Sequence, residues 1–134
     1  MKLKDFIIDP LAKNIAEDIH WIKLEEKYGL TQFPVVMGGE GPPLLCLHGF
    51  DSSFLEFRRI YPLLKNKFKL IIPDLLGFGF SPRLSTINYN PENIIINLID
   101  LIHKLKITQK INLLGASMGG SVAFSLTKNI EKDI

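Results

Sequence analysis

The chain has 134 residues, 46% of them hydrophobic and 22% charged, a balance that folds around a core rather than staying disordered. Sixteen Lys and Arg against fourteen Asp and Glu leave a formal charge of +2, too small for a nucleic-acid or membrane-surface footprint. A lone cysteine, Cys46, excludes a disulfide framework and a Cys-built metal site. No apolar run nears the ~20 residues of a membrane span and no signal peptide opens the chain, so a reducing, cytoplasmic compartment is expected.

In chain order, Asp9 and Pro10 supply a cap and a first-turn proline, and Leu11, Ile15 and Ile19 recur every four residues. That spacing predicts a short helix over 10–19. Residues 20–24 and 31–37 read as two strands, joined by a polar turn and closed by Gly38-Gly39-Glu40-Gly41. The run Leu44–Leu47 is apolar at every position, as in a strand covered on both faces, and Leu70–Pro73 and Ile111–Leu114 repeat the pattern. Between them, residues 53–61 place Phe54, Phe57 and Tyr61 on one helical stripe behind the capping candidates Asp51, Ser52 and Ser53. Asn90-Pro91-Glu92 opens a longer helix over 91–106, mostly Ile and Leu, with one narrow polar stripe at Asn93, Asn97, Asp100 and Lys104. A last helix is expected from Ser117 to about Asn129. Short apolar runs alternating with amphipathic segments define an α/β layer architecture. No repeat or linker divides it, so one domain is expected over 1–134, with 1–19 as an N-terminal helix or extension.

Three segments carry chemistry. Gly115-Ala116-Ser117-Met118-Gly119 has the spacing G-x-S-x-G between an expected strand and an expected helix. Exposing a serine hydroxyl at the end of a strand demands a sharp turn, and glycines two residues to either side remove the Cβ clashes of that turn. A tightly packed turn or a phosphate cradle at Gly115–Gly120 is the competing reading, although no lysine follows the glycines. His48-Gly49-Phe50 follows the strand Leu44–Leu47, where acyl transfer needs a backbone donor. Two preorganised N–H groups stabilise the oxyanion of a tetrahedral intermediate, and those of Phe50 and Met118 are the candidates, the latter at a helix N-terminus. His48 itself reads as a hydrogen-bonded loop anchor rather than a base. In the third segment, Asp74 to Pro82, Gly77 and Gly79 let the loop pass close to its neighbours, and Asp74 reads as a carboxylate that ties loops together. A dinucleotide fingerprint fails there because its third glycine position holds Pro82.

The order H-G-x at His48–Phe50, D-x-x-G-x-G-x-S at Asp74–Ser81 and G-x-S-x-G at Gly115–Gly119 resembles the serine-nucleophile branch of the α/β-hydrolase superfamily, over roughly residues 20–134. The phrases His48–Ser53, Glu56–Arg59 and Asp74–Ser81 also resemble a branch common in photosynthetic microbes. The resemblance implies an α/β-hydrolase fold, a mostly parallel sheet with helices on both faces. It implies Ser117 as nucleophile, Phe50 and Met118 as oxyanion-hole amides, no cofactor or metal, and an ester or acyl small molecule as substrate. Serine rather than aspartate at the nucleophile position favours acyl chemistry over haloalkane or epoxide opening.

In that family the triad acid and histidine follow the nucleophile helix. With the chain reaching Ile134, the resemblance implies an N-terminal half, truncated after that helix and hydrolytically silent without a complementing C-terminal half. The alternative is a non-catalytic remnant. His103 is expected on a helix surface, His20 far from the motif, and only His48 near Ser117. The strand Ile111–Leu114 is expected at an uncovered sheet edge.

Overall fold

Asp9 accepts the Leu11 N–H at 2.9 Å through Oδ1, and Pro10 fills the first turn, where its missing N–H costs nothing. The helix that follows, α1 (Pro10–Ala16), stops earlier than the four-residue repeat predicts. Ile19 is claimed instead by strand β1 (Ile19–Leu24), where it faces Val36 across an antiparallel ladder. A β-branched side chain suits that ladder better than a helix end, and tertiary pairing overrides the local period. The computed structural model describes residues 2–24 and 29–130, without the side chain of Thr31.

The remaining strands are β2 (Leu30–Gly38), β3 (Pro43–Leu47), β4 (Lys69–Pro73) and β5 (Asn112–Gly115). They form one mixed sheet in the order β1-β2-β4-β3-β5. The β1–β2 and β2–β4 pairs are antiparallel, whereas β3 runs parallel to both β4 and β5. Among the described residues β5 therefore forms one edge of the sheet.

Side chains leave the central strands alternately for two separate cores, as the period of two requires. Leu45, Leu47 and Ile71 face one core, shared with the helices α3 (Pro91–Lys104) and α4 (Met118–Ile130) through Leu98, Leu101 and Leu126. Leu44, Cys46, Leu70 and Ile72 face the other, with Ile15 and Ala16 of α1. Phe54, Phe57 and Tyr61 are buried in that second core, but not on one continuous helix. A 3-10 turn (Phe54–Phe57) and a short helix α2 (Tyr61–Leu64) share the segment. Tyr61 then reaches out to Asp18, donating its hydroxyl to a carboxylate that also takes Lys65 at 2.5 Å.

Asn90 caps α3 by accepting the Asn93 N–H at 2.8 Å. The polar stripe of this helix is not uniformly solvated. Lys104 is exposed, but Asn97 is buried and both its side-chain polar atoms lack a hydrogen-bond partner among the described residues. Helix α3 buries Ile94, Ile95, Leu98, Leu101 and Ile102 as well, a surface wide enough to take Asn97 with it. The last element, α4, begins at Met118, directly after the candidate serine.

Candidate active site

The turn around Ser117 is built by the strand beside it. In the β3–β5 register Leu47 faces Gly115, and the Ala116 N–H donates to the Leu47 carbonyl at 3.0 Å. The chain then reverses. Ser117 adopts φ +52°, in the left-handed region that costs a residue with a Cβ, and α4 starts at the next position. The Gly119 and Gly120 N–H groups close the turn on the carbonyls of Ala116 and Ser117 at 2.8 and 2.9 Å. A Cβ on Gly119 would collide with the carbonyl oxygens of Leu47 and His48, and one on Gly115 with the backbone of Gly119. Backbone packed against backbone is the reason for glycine at both ends of the motif. The serine side chain itself is exposed in an open cleft of about 810 Å³, which Phe50, Leu55, Glu56, Phe80 and Arg83 also line.

The same register brings the His48–Phe50 loop alongside. Continued past Leu47 and Gly115, it puts Gly49 next to Ser117, and a Cβ on Gly49 would stand 3.3 Å from the serine Cβ. His48 is buried with both ring nitrogens engaged: Nδ1–H donates to the Gly49 carbonyl at 2.8 Å, and Nε2 accepts the Leu75 N–H at 2.9 Å. A carbonyl only accepts and an amide N–H only donates, so these partners define the neutral ring with its proton on Nδ1. Burial holds its pKa below the ordinary value, against the opposing pull of the Gly49 carbonyl and Glu56. The peptide bonds here are trans, so the Phe50 N–H points opposite to the Gly49 carbonyl that His48 holds. Among the described residues no acceptor takes the N–H of Phe50 or that of Met118.

Asp74, fully buried at the end of β4, joins two loops of the cleft. Its Oδ1 accepts the Phe54 N–H and its Oδ2 the Phe80 N–H, both at 2.6 Å. Burial pushes this carboxyl up to about 6, although the two amides and Arg83 pull it down. Gly79, at φ +55°, leaves the room that the Asp74 carboxylate occupies, and Gly77 lies against the ring of Tyr89. Cys46, the other nucleophilic type near the sheet, is buried and its thiol is pushed up to about 12, which keeps it protonated.

The structure keeps the other histidines apart from the serine. His20 is exposed on β1, at the opposite edge of the sheet from β5, and His103 is exposed near the end of α3. Among the described residues no three His, Cys, Asp or Glu side chains gather where they could hold a metal ion. Three cleft residues lie outside the three chemistry-bearing segments, Glu56 and Arg58 within the phrase Glu56–Arg59 that carried part of the resemblance and Arg83 in none. Glu56 accepts the Gly49 N–H at 2.8 Å, Arg58 pairs with Asp9 at 2.9 Å, and Arg83 donates to the carbonyls of Gly79 and Ser81. A conspicuous signal was the acid in Glu56-Phe57-Arg58-Arg59, seven residues beyond Gly49, but spacing alone does not link an acid to a backbone amide.

An exposed, strained serine thus stands between a parallel strand and a helix, beside two amide N–H groups that have no acceptor among the described residues. The model of the alpha/beta hydrolase fold matches residues 42–132, and the chain belongs to that family. It is similar to Lipase 1 of Psychrobacter immobilis, 36% identical over 94 residues, which cover 70% of this chain and 29% of the lipase. It is equally similar to the soluble epoxide hydrolase of Corynebacterium sp. (strain C12), 36% identical over 89 residues, 66% of this chain and 30% of that enzyme. The crystal structure of ALR0039 from Nostoc sp PCC 7120 superposes with a TM-score of 0.73 at 25% identity, covering 88% of this chain and 41% of that one. The chain thus spans about 30% of the length of these curated relatives.

Proposed function

We propose that this chain carries the nucleophile and the oxyanion amides of a serine hydrolase acting on an ester or other acyl small molecule. One observation supports this above the rest: Ser117 is held at φ +52° with its side chain open to the cleft. Strain of that kind persists where the surrounding packing enforces it, and nucleophile turns are such places. In the proposed reaction Ser117 Oγ bonds to the acyl carbon, and the carbonyl oxygen takes up negative charge facing the N–H groups of Phe50 and Met118. Collapse of that intermediate breaks the bond to the leaving alcohol and leaves an acyl-serine, which water then hydrolyses. The lipase among the relatives fits this chemistry. The epoxide hydrolase does not choose against it, because a serine alkoxide and an acyl carbonyl are the natural pair for the residue present here.

The reaction also needs a base for the Ser117 proton. His48 has both nitrogens committed, and His20 and His103 lie on remote surfaces. We place the acid and base outside the described residues, on further sequence of the same polypeptide or on a complementing half. By this reading residues 1–134 alone are silent, since loss of the base costs several powers of ten in rate. The test is labelling with a fluorophosphonate probe. The protein completed by the acid and base, whether on the same polypeptide or on a complementing half, is expected to be labelled at Ser117 and its Ser117→Ala variant not at all. An unlabelled completed protein would end the proposal.

A further inference from the structure

Among the described charged residues lining the cleft, Glu56 bonds the His48–Phe50 loop itself. Glu56 stands at the third position of the 3-10 turn Phe54–Phe57, whose start is fixed by Ser53 capping Leu55 and by Asp74 holding Phe54. From there its Oε2 reaches back to the Gly49 N–H at 2.8 Å, a charge-assisted bond across the base of the loop. Among the described residues no Lys, Arg or His forms an ion pair with Glu56, so its carboxylate is committed to this amide.

The two peptide planes that precede the Phe50 Cα are then each held by a side chain. Glu56 holds the 48–49 plane by its N–H, and His48 holds the 49–50 plane by its carbonyl. The Phe50 N–H belongs to the second plane, and its direction follows only if both stay fixed. The loop has reason to relax, because the next residue, Asp51, sits at φ +53°, a left-handed conformation that is strained for a non-glycine residue. Resting on the serine-hydrolase reading above, we infer that Glu56 is a positioning residue for the Phe50 oxyanion amide, acting through Gly49. It touches neither the acyl carbon nor Ser117's proton. Its charge is incidental to this role; what the role requires is an acceptor oxygen at that place. Glutamine supplies one and alanine does not.

The test combines amide hydrogen exchange with labelling kinetics, on the full-length protein and its Glu56→Gln and Glu56→Ala variants. Protection of the Gly49 amide is expected in wild type and Glu56→Gln and lost in Glu56→Ala, with the Phe50 amide exchanging freely in all three. Fluorophosphonate labelling of Ser117 is expected to fall roughly ten- to hundredfold in Glu56→Ala, with Glu56→Gln within about threefold of wild type. On p-nitrophenyl acetate the loss in Glu56→Ala should lie in kcat rather than KM. An unprotected Gly49 in wild type, or equal labelling of wild type and Glu56→Ala, overturns the inference. So does a Glu56→Gln variant as impaired as Glu56→Ala, which would make the charge the active property. If wild type is not labelled at all, the hydrolase reading fails, and Gly49 exchange alone decides whether Glu56 fixes the loop.

Discussion

Ser117 combines a chemical demand with a conformational one, and substitution separates them. Its left-handed backbone costs a residue with a Cβ about 1–2 kcal/mol, and glycine is exempt. Ser117→Gly should therefore match or exceed wild-type stability, by up to about 1 kcal/mol in equilibrium urea unfolding, while losing all probe labelling. A clear loss of stability would show that the turn is not strained. Asp74 and His48 shape the acid side of the stability curve in opposite senses. The folded state raises the Asp74 carboxyl from 3.8 to about 6, so it binds that proton more tightly than the unfolded chain does. Its contribution is full below about pH 4 and lost as the pH rises through about 6. His48 is lowered from 6.5, so its contribution is full above that value and lost as the pH falls through the folded one. Relative to Asp74→Asn, the wild-type protein should lose stability between pH 4 and pH 7, by roughly 1 kcal/mol or more. A gain across that interval would contradict the direction given by burial. The roles of these side chains were partly legible in the sequence. A histidine and an aspartate at strand ends, each beside a glycine-rich loop, suggested anchors. The amides they hold follow only from the loops meeting in space.

At the level of elements, α4 and α3 offer contrasting tests of packing. Helix α4 begins on the carbonyls of Leu47 and His48, with Gly119 at the contact. Gly119→Ala has no flexible side chain to displace there, only main chain. A loss of about 3 kcal/mol or more is expected in thermal or urea unfolding, together with loss of Ser117 labelling. Helix α3 carries the opposite defect, the unpartnered Asn97 in a core of Ile and Leu. Replacing a buried amide that has no partner by an apolar side chain of similar size removes its desolvation cost. Asn97→Leu should stabilise by about 1–2 kcal/mol in the same assay, and a destabilised variant would mean that the amide has a partner in solution. The sequence placed α3 and α4 correctly to within a few residues because Asn90 and Pro91 are local start signals for α3 and the glycine-flanked turn marks the start of α4. The burial of Asn97 was not legible there, because which face of a helix is covered depends on how many neighbours reach it. The 53–61 segment was misread for a related reason: its three aromatics share a core, but a 3-10 turn and a short helix deliver them there as well as one helix could.

For the whole molecule, the decisive feature is the mixed sheet with its two cores. Two central runs, Leu44–Leu47 and Leu70–Pro73, announced strands covered on both faces, whereas Ile111–Leu114, interrupted by Asn112, becomes the half-exposed edge strand β5 instead. The layer architecture was legible from those two runs. The antiparallel β1–β2–β4 part was not, since strand order and direction leave no mark on short apolar runs. The candidate site was legible to the extent that it lies in contiguous motifs; Glu56 was visible only as part of the phrase Glu56–Arg59, and its bond to Gly49 and the place of Arg83 came through folding alone. Among the described residues β5 pairs with β3 only, and its half-buried Leu113 and Leu114 lie next to an unpaired backbone edge. Such an edge recruits other strands. The polypeptide 1–134, expressed by itself, should self-associate and melt without sharp cooperativity. Sedimentation velocity and calorimetry check this, and a monomer with a cooperative transition would show that the edge is protected.

The seat of Gly119 on β3 bears on how such a protein diversifies. The turn at Ser117 is referenced to main-chain carbonyls, which no side-chain substitution replaces. Leu55, Phe80 and Arg83 can then drift, reshaping the mouth of the cleft while serine and amides keep their mutual coordinates. In the proposed hydrolase, a frame with that property accommodates new substrates without rebuilding the serine turn. For laboratory evolution, the productive library is the cleft wall, with the glycines left untouched.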